Sequence, residues 1–183
     1  GDQAFAERAF CDVDVLILAQ LSYFDFGSAV PTIAQRKKSV TLEEIDRTAD
    51  LSAVFADKWY GENNRKLWNA LLAGRRFRTM RCNYYRERME EEQEAQFGAV
   101  TFFPEGCEPV VAFRGTDDSV VGWKEDFNMA FLPVIPSQAD AADYVTKLGK
   151  SFSGKLLLMG HSKGGNLAAY AGMFCDPEIQ KRI

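Results

Sequence analysis

The chain has 183 residues, the length of one domain. Apolar residues make up 46%, aromatic residues 13% and charged residues 26%, which excludes a disordered tail, a collagen-like repeat and a disulfide-dense mini-protein. Lys and Arg number 22 against 26 Asp and Glu, and a net charge of −4 lacks the basic footprint of a nucleic-acid binder, so no nucleic-acid partner is expected.

The start of the chain lacks the basic, apolar, small-residue order of a secretory signal, and it opens on Gly1 instead of Met, which points to a processed start. Residues 13–21 are apolar nearly all round, as in a buried helix. Thr41-Leu42-Glu43-Glu44 fits a capping box and opens a helix with Leu42, Ile45 and Ala49 on one face. Asn63 or Asn64 caps a third helix carrying Leu67, Trp68, Leu71 and Leu72, with Gly74 as its stop. Residues 75–96 concentrate arginines first and glutamates later and read as a solvated loop or hairpin arm with internal ion pairs.

After Gln96 the pattern changes. Phe97–Phe103 and Pro109–Phe113 flank Pro104-Glu105-Gly106 and read as a β-hairpin. Trp123–Phe131 reads as a helix and Leu132–Ile135 as a short strand. Ser137–Lys150 is an amphipathic helix with Ala141, Tyr144, Val145 and Leu148 on its apolar face. Lys155–Met159 is a short strand, Ser162–Cys175 a helix, and Asp176-Pro177 opens another. Strands alternating with helices predict a mostly parallel sheet and an α/β fold. The chain is expected to be one domain, 1–95 mainly helical and charged, 96–183 carrying the hairpin and the chemistry. No apolar run reaches the ~18 residues of a membrane span. Cys11, Cys82, Cys107 and Cys175 are widely spaced without a C-x-x-C pair, so free thiols, a reducing compartment and a cytoplasmic location are expected.

Gly160-His161-Ser162-Lys163-Gly164 follows an apolar strand and opens a helix rich in small residues, the context of a nucleophile elbow. The turn strains the serine backbone and lifts its hydroxyl above the strand end. Side chains two positions either side would collide, hence Gly160 and Gly164. An oxyanion then needs two donors: the N–H of Lys163, the residue after the nucleophile, and one from an earlier loop, here Phe113-Arg114-Gly115-Thr116. The Lys163 side chain either adds positive potential that favours an anionic substrate or points to solvent. Asp117, Asp118, Glu125 and Asp126 lack the spacing of a metal site, so no metal is expected. Trp123 and Asp126 read as anchors of the loop that places Thr116.

FRGT followed by GHSxGG resembles the class 3 (fungal-type) lipases of the α/β-hydrolase fold. Ile17–Phe26, Ala112–Phe131 and Gly160–Ile183 are similar to an uncharacterised bacterial family of lipase-like hydrolases, a domain of unknown function. The resemblance implies Ser162 as nucleophile, Thr116 as oxyanion donor beside Lys163, a small-molecule or lipid ester as substrate, and no cofactor. In that fold an Asp or Glu and then a His follow the serine. After Ser162 there is no histidine, and the one histidine, His161, is the elbow residue before it. Losing a triad histidine costs on the order of 10⁶ in turnover, ~8 kcal/mol. The chain is therefore expected to be the N-terminal part of a longer hydrolase, nearly inactive by itself, with the catalytic Asp, the His and the last strands missing. The alternative is an inactive hydrolase fold used as a binding or interaction module.

Overall fold

The computed structural model describes residues 2–35, 37–57 and 60–183. In chain order the elements are α1 (Asp12–Leu21), β1 (Val40–Thr41), α2 (Leu42–Thr48), α3 (Leu51–Val54), α4 (Gly61–Ala73), β2 (Arg81–Glu90), β3 (Ala95–Phe103), β4 (Val110–Phe113), α5 (Val120–Asn128), α6 (Pro136–Gly149), β5 (Leu157–Gly160), α7 (Lys163–Phe174) and α8 (Pro177–Gln180). Two single 3₁₀ turns lie between α1 and β1. The capping box at Thr41 forms: Glu44 N–H donates to the threonine Oγ1 at 3.2 Å, and Thr41 N–H donates to Glu44 Oε2 at 2.7 Å.

The five strands form one sheet in the order β1-β2-β3-β4-β5. This is a mixed α/β sheet, and the expectation of mostly parallel pairing is corrected. Among the described residues β1–β2, β2–β3 and β3–β4 are antiparallel, and only β4–β5 is parallel. The physical reason is connection length. Residues 91–94 and 104–109 are short turns, and short turns permit only antiparallel return. Among the described residues the long crossover through α5 and α6 supplies the parallel pair, while the other long connection, residues 42–80 through α2, α3 and α4, returns antiparallel. Residues 132–135 form no strand, because Pro133 lies within them and Pro136, directly after them, starts α6.

Side chains alternate across the sheet and build a core on each face. Val100, Phe102, Val110 and Ala112 pack with α1, α2 and α4, around Phe24, Phe26 and Trp68. Phe97, Ala99, Val111 and Phe113 pack with α6, α7 and α8, around Tyr144, Leu148 and Leu167. Helix α1 is buried on one side only: Leu18 and Leu21 are inside, while Val13 and Leu16 are exposed, contrary to the all-round burial expected.

Of the two readings of the arginine-rich stretch, the hairpin arm holds: residues 81–90 are strand β2, antiparallel to β3, and Arg88 pairs internally with Glu90, but other charges find distant partners. Arg86 and Arg88 reach α6, where Arg86 meets Asp140 and Asp143 and Arg88 meets Asp140. Arg76 is buried against Asp14 of α1 through two hydrogen bonds of 2.5 and 2.7 Å, and its guanidinium lies 4.0 Å from the Phe5 ring centre. Burial alone would raise the Asp14 carboxyl, but the hydrogen bonds from Arg76 and the Cys11 N–H outweigh it and hold the group below the ordinary aspartate value. The four thiols are free; Cys82 and Cys175 are buried, Cys11 and Cys107 half-buried. No helix among the described residues is long and apolar enough to cross a membrane.

Candidate active site

Strand β5 ends at Gly160 and α7 begins at Lys163, so the chain reverses over two residues. Ser162 takes φ 56°, ψ −127°, a combination L-residues rarely adopt and one that costs on the order of 1–3 kcal/mol. The side chain is exposed, and among the described residues its Oγ has no hydrogen-bond partner. The strain has a visible cause. A Cβ on Gly160 would stand 2.3 Å from the Gly164 carbonyl carbon, and one on Gly164 would stand 2.3 Å from the Phe113 carbonyl oxygen. Bare glycines let the end of β4 press against the turn, with Phe113 paired to Gly160 in the parallel ladder.

That contact brings the loop after β4 to the elbow. A Cβ on Gly115 would meet the His161 carbonyl oxygen at 2.5 Å and the Tyr23 hydroxyl at 2.1 Å. Arg114 is buried and fastens the loop from below: Nε donates to Ser22 O at 2.9 Å, Nη2 donates to Phe24 O at 3.2 Å and Tyr85 Oη at 3.0 Å, and Nη1 pairs with Glu87. One guanidinium thus ties the loop to the end of α1 and to β2. Thr116 follows. Its Oγ1 is buried and has no hydrogen-bond partner. Lys163 is the first residue of α7, so its N–H is one of the donors a helix start leaves without an intrahelical acceptor.

The Lys163 side chain does neither of the things expected of it. It is fully buried, and its ammonium donates to Glu125 Oε2 at 2.7 Å, to Gln96 Oε1 at 2.7 Å and to Gln96 O at 2.8 Å. Glu125 is equally buried and also accepts from the N–H groups of Gln96 at 3.0 Å and Ser137 at 2.9 Å. One carboxylate thereby joins α5, the start of α6, β3 and the elbow. Glu125 thus anchors the elbow, and the loop that carries Thr116 is anchored by Arg114, not by Trp123 or Asp126. Trp123 is 55% exposed. The signal for Glu125 was present in the sequence: a lysine at a crowded turn must find a carboxylate if it is buried, and α5 carries one. Asp117 has a local task, since its Oδ1 accepts from the N–H and hydroxyl of Ser119 ahead of α5.

His161 is exposed, and its Nδ1 lies 3.4 Å from the Tyr23 hydroxyl. Burial raises the Tyr23 phenol by more than the Gly115 N–H and Arg114 lower it. Beside the elbow is a cleft of about 520 Å³. Among the described residues it is lined by Tyr23, Asp57, Tyr60, Thr116, Asp117, Asp118 and Trp123. No group of three or more His, Cys, Asp or Glu among the described residues could hold a metal ion.

A family model described as Mbeg1-like matches residues 71–183, more than half of the chain, including the elbow and the loop that carries Thr116. This corrects the expected membership in a lipase-like family related to the class 3 lipases. FRGT and GHSxGG encode a local strand–turn–helix geometry, and such a turn can be shared without shared membership. Neither the comparison with curated proteins nor that with solved structures finds a match.

Proposed function

The chain belongs to the Mbeg1-like family, and from the geometry of the elbow we propose that it is a serine hydrolase cleaving carboxylic esters through an acyl-enzyme on Ser162. The observation that carries this is the exposed serine held at φ 56°, ψ −127° between β5 and α7. Backbone strain on an exposed hydroxyl is costly and persists where surrounding packing imposes it, here the glycines pressed against β4. The parallel β4–β5 pair with its elbow supports an α/β-hydrolase type of arrangement.

In this reading Ser162 Oγ attacks the ester carbonyl carbon and gives up its proton to a base. The carbonyl oxygen becomes an oxyanion held by the Lys163 N–H and by Thr116, whose buried hydroxyl has no other partner. The oxyanion collapses, the alcohol leaves with the proton, and water then hydrolyses the acyl-serine. The base is not His161, which lies against Tyr23 and is not bonded to the serine. No base or acid is assigned among the described residues of this chain. The substrate is a small-molecule or lipid ester, and no step uses a cofactor.

A fluorophosphonate probe tests the reading. The protein is expected to form an adduct that peptide mass spectrometry maps to Ser162 and that Ser162→Ala abolishes. Folded protein that forms no adduct, in a preparation that includes any further chain, would favour the second reading, a binding module. The observation behind that second reading is that, among the described residues, no base lies at hydrogen-bond distance from Ser162 Oγ.

A further inference from the structure

Resting on the reading of Ser162 as an ester-cleaving nucleophile, we infer that the substrate carries an alkylammonium group, held in the aromatic and acidic cleft beside Thr116. The argument begins with the sign of the charge. Lys163 is the residue that would draw an anion to the elbow, and its ammonium is fully buried on Glu125 and Gln96. Arg114, under the oxyanion loop, is consumed by Glu87, Tyr85 and two carbonyls. Lys124 on α5 pairs with Glu94 at 3.3 Å. Each of these three cations is therefore already compensated.

The carboxylates are in the opposite condition. Asp117 and Asp118 line the cleft, and neither joins an ion pair among the described residues. Asp117 accepts two hydrogen bonds from Ser119, which fix its position without cancelling its charge. The carboxylates are felt at the site beside Arg114: burial is the main cause that raises the Tyr23 phenol, the Gly115 N–H and Arg114 lower it, and Asp117 and Asp126 raise it further. An anion entering here meets uncompensated negative charge, and a cation meets its counter-charge.

The rings supply the second half. Tyr23, Tyr60 and Trp123 line the same cleft, with Tyr60 and Trp123 60% and 55% exposed. Aromatic faces attract a cation through the ring quadrupole, and a quaternary ammonium, which cannot donate hydrogen bonds, is held in water by such faces combined with nearby carboxylates. A neutral acyl chain would use the rings but gain nothing from Asp117 and Asp118. Thr116 itself lines the same cleft, so a cation seated among the rings is next to the residue proposed as oxyanion donor. The volume, about 520 Å³, lies within the ~300–1,000 Å³ of small-molecule sites.

The test compares three alcohols by titration calorimetry on the folded protein: choline, its neutral carbon isostere 3,3-dimethylbutan-1-ol, and ethanolamine. Choline is expected to bind at least about tenfold tighter than the isostere, with the advantage shrinking as salt rises. Ethanolamine tells a methylated from a primary ammonium, and either cation exceeding the isostere supports the inference. In Asp117→Asn/Asp118→Asn the advantage is expected to fall to about twofold or less while the isostere binds as before; the asparagine at 117 keeps the acceptor that Ser119 uses. Equal affinity for the cations and the isostere, or an advantage unchanged in the double variant, overturns the inference. Fluorophosphonate labelling of the same preparation separates the two proposals. Ser162 labelling without cation preference overturns the inference and leaves the hydrolase reading standing. Cation preference without labelling removes the hydrolase reading and supports a cation-binding cleft.

Discussion

Replacing Lys163 by Met tests whether the elbow rests on a buried ion pair. The change removes three donor contacts of 2.7–2.8 Å and leaves the Glu125 carboxylate fully buried with no cation. Stranding a buried charge costs about 3–5 kcal/mol. Two backbone N–H groups, of Gln96 and Ser137, still reach that carboxylate, which places the loss near the lower end, about 3 kcal/mol. For a chain of this size that is a fall of about 6–12 °C in Tm. The double variant Lys163→Met/Glu125→Gln removes the stranded charge. Its amide oxygen can accept from one of the two N–H groups, and the other is left unpaired at a cost of about 1–3 kcal/mol. Urea unfolding followed by circular dichroism should therefore show the double variant more stable than the single one by about 1 kcal/mol. Labelling of Ser162 in the double variant should stay within about threefold of wild type, since the Lys163 N–H survives both changes. A double variant as unstable as the single one, or less stable, would refute the reasoning.

Three further outcomes follow from the same geometry. Ser162→Gly should be more stable than Ser162→Ala by about 1 kcal/mol in urea unfolding. Glycine relieves a strain of about 1–3 kcal/mol and gives back about 0.4–1 kcal/mol through a freer unfolded chain; equal stabilities would mean that position 162 is not strained. Thr116→Val removes a hydroxyl without a partner, so stability should hold or rise slightly while fluorophosphonate labelling slows about 10²-fold; a variant that labels at the wild-type rate would take Thr116 out of the oxyanion site. Asp14 is held below the ordinary aspartate value of 3.8, so its contribution is complete above that pH and is lost as the pH falls through the lower folded-state value. Asp14→Asn should cost about 3 kcal/mol at pH 7, and the gap to wild type should close toward pH 2; a gap that stays constant with pH would contradict the pairing with Arg76.

Local chemistry was legible in the sequence and distant pairing was not. The capping box at Thr41, the hairpin across Pro104, the Gly74 stop and the two elbow glycines all follow from turn sterics or from hydrogen bonds that close within four residues. Residues 81–90 were legible as a hairpin arm, but their charge is that of a solvated face and hid partners over 50 residues away: Arg86 and Arg88 reach Asp140. The same separation hid Glu125, whose partner Lys163 is 38 residues distant. Parallel pairing was over-assigned because the strand–helix alternation after residue 109 occurs once, not repeatedly.

The misread lysine reverses the sign assigned to the site. An exposed Lys163 would have made the elbow a trap for anions. Buried on Glu125, it leaves Asp117 and Asp118 in the cleft without an ion-pair partner among the described residues, beside Tyr60 and Trp123. The burial has a steric origin. Gly160 and Gly164 draw the Phe113 carbonyl against the turn, and the first side chain of α7 extends beneath the sheet end toward β3 and α5, where Gln96 and Glu125 receive it. The packing that strains Ser162 and the pairing that neutralises Lys163 are therefore mechanically linked. A substitution that relaxes the elbow, such as Gly164→Ala, should disturb both the serine geometry and the charge of the cleft. Loss of fluorophosphonate labelling together with loss of choline binding in that variant, with the fold intact by circular dichroism, is the outcome this linkage requires. Loss of labelling with choline binding untouched would show that elbow and cleft are independent.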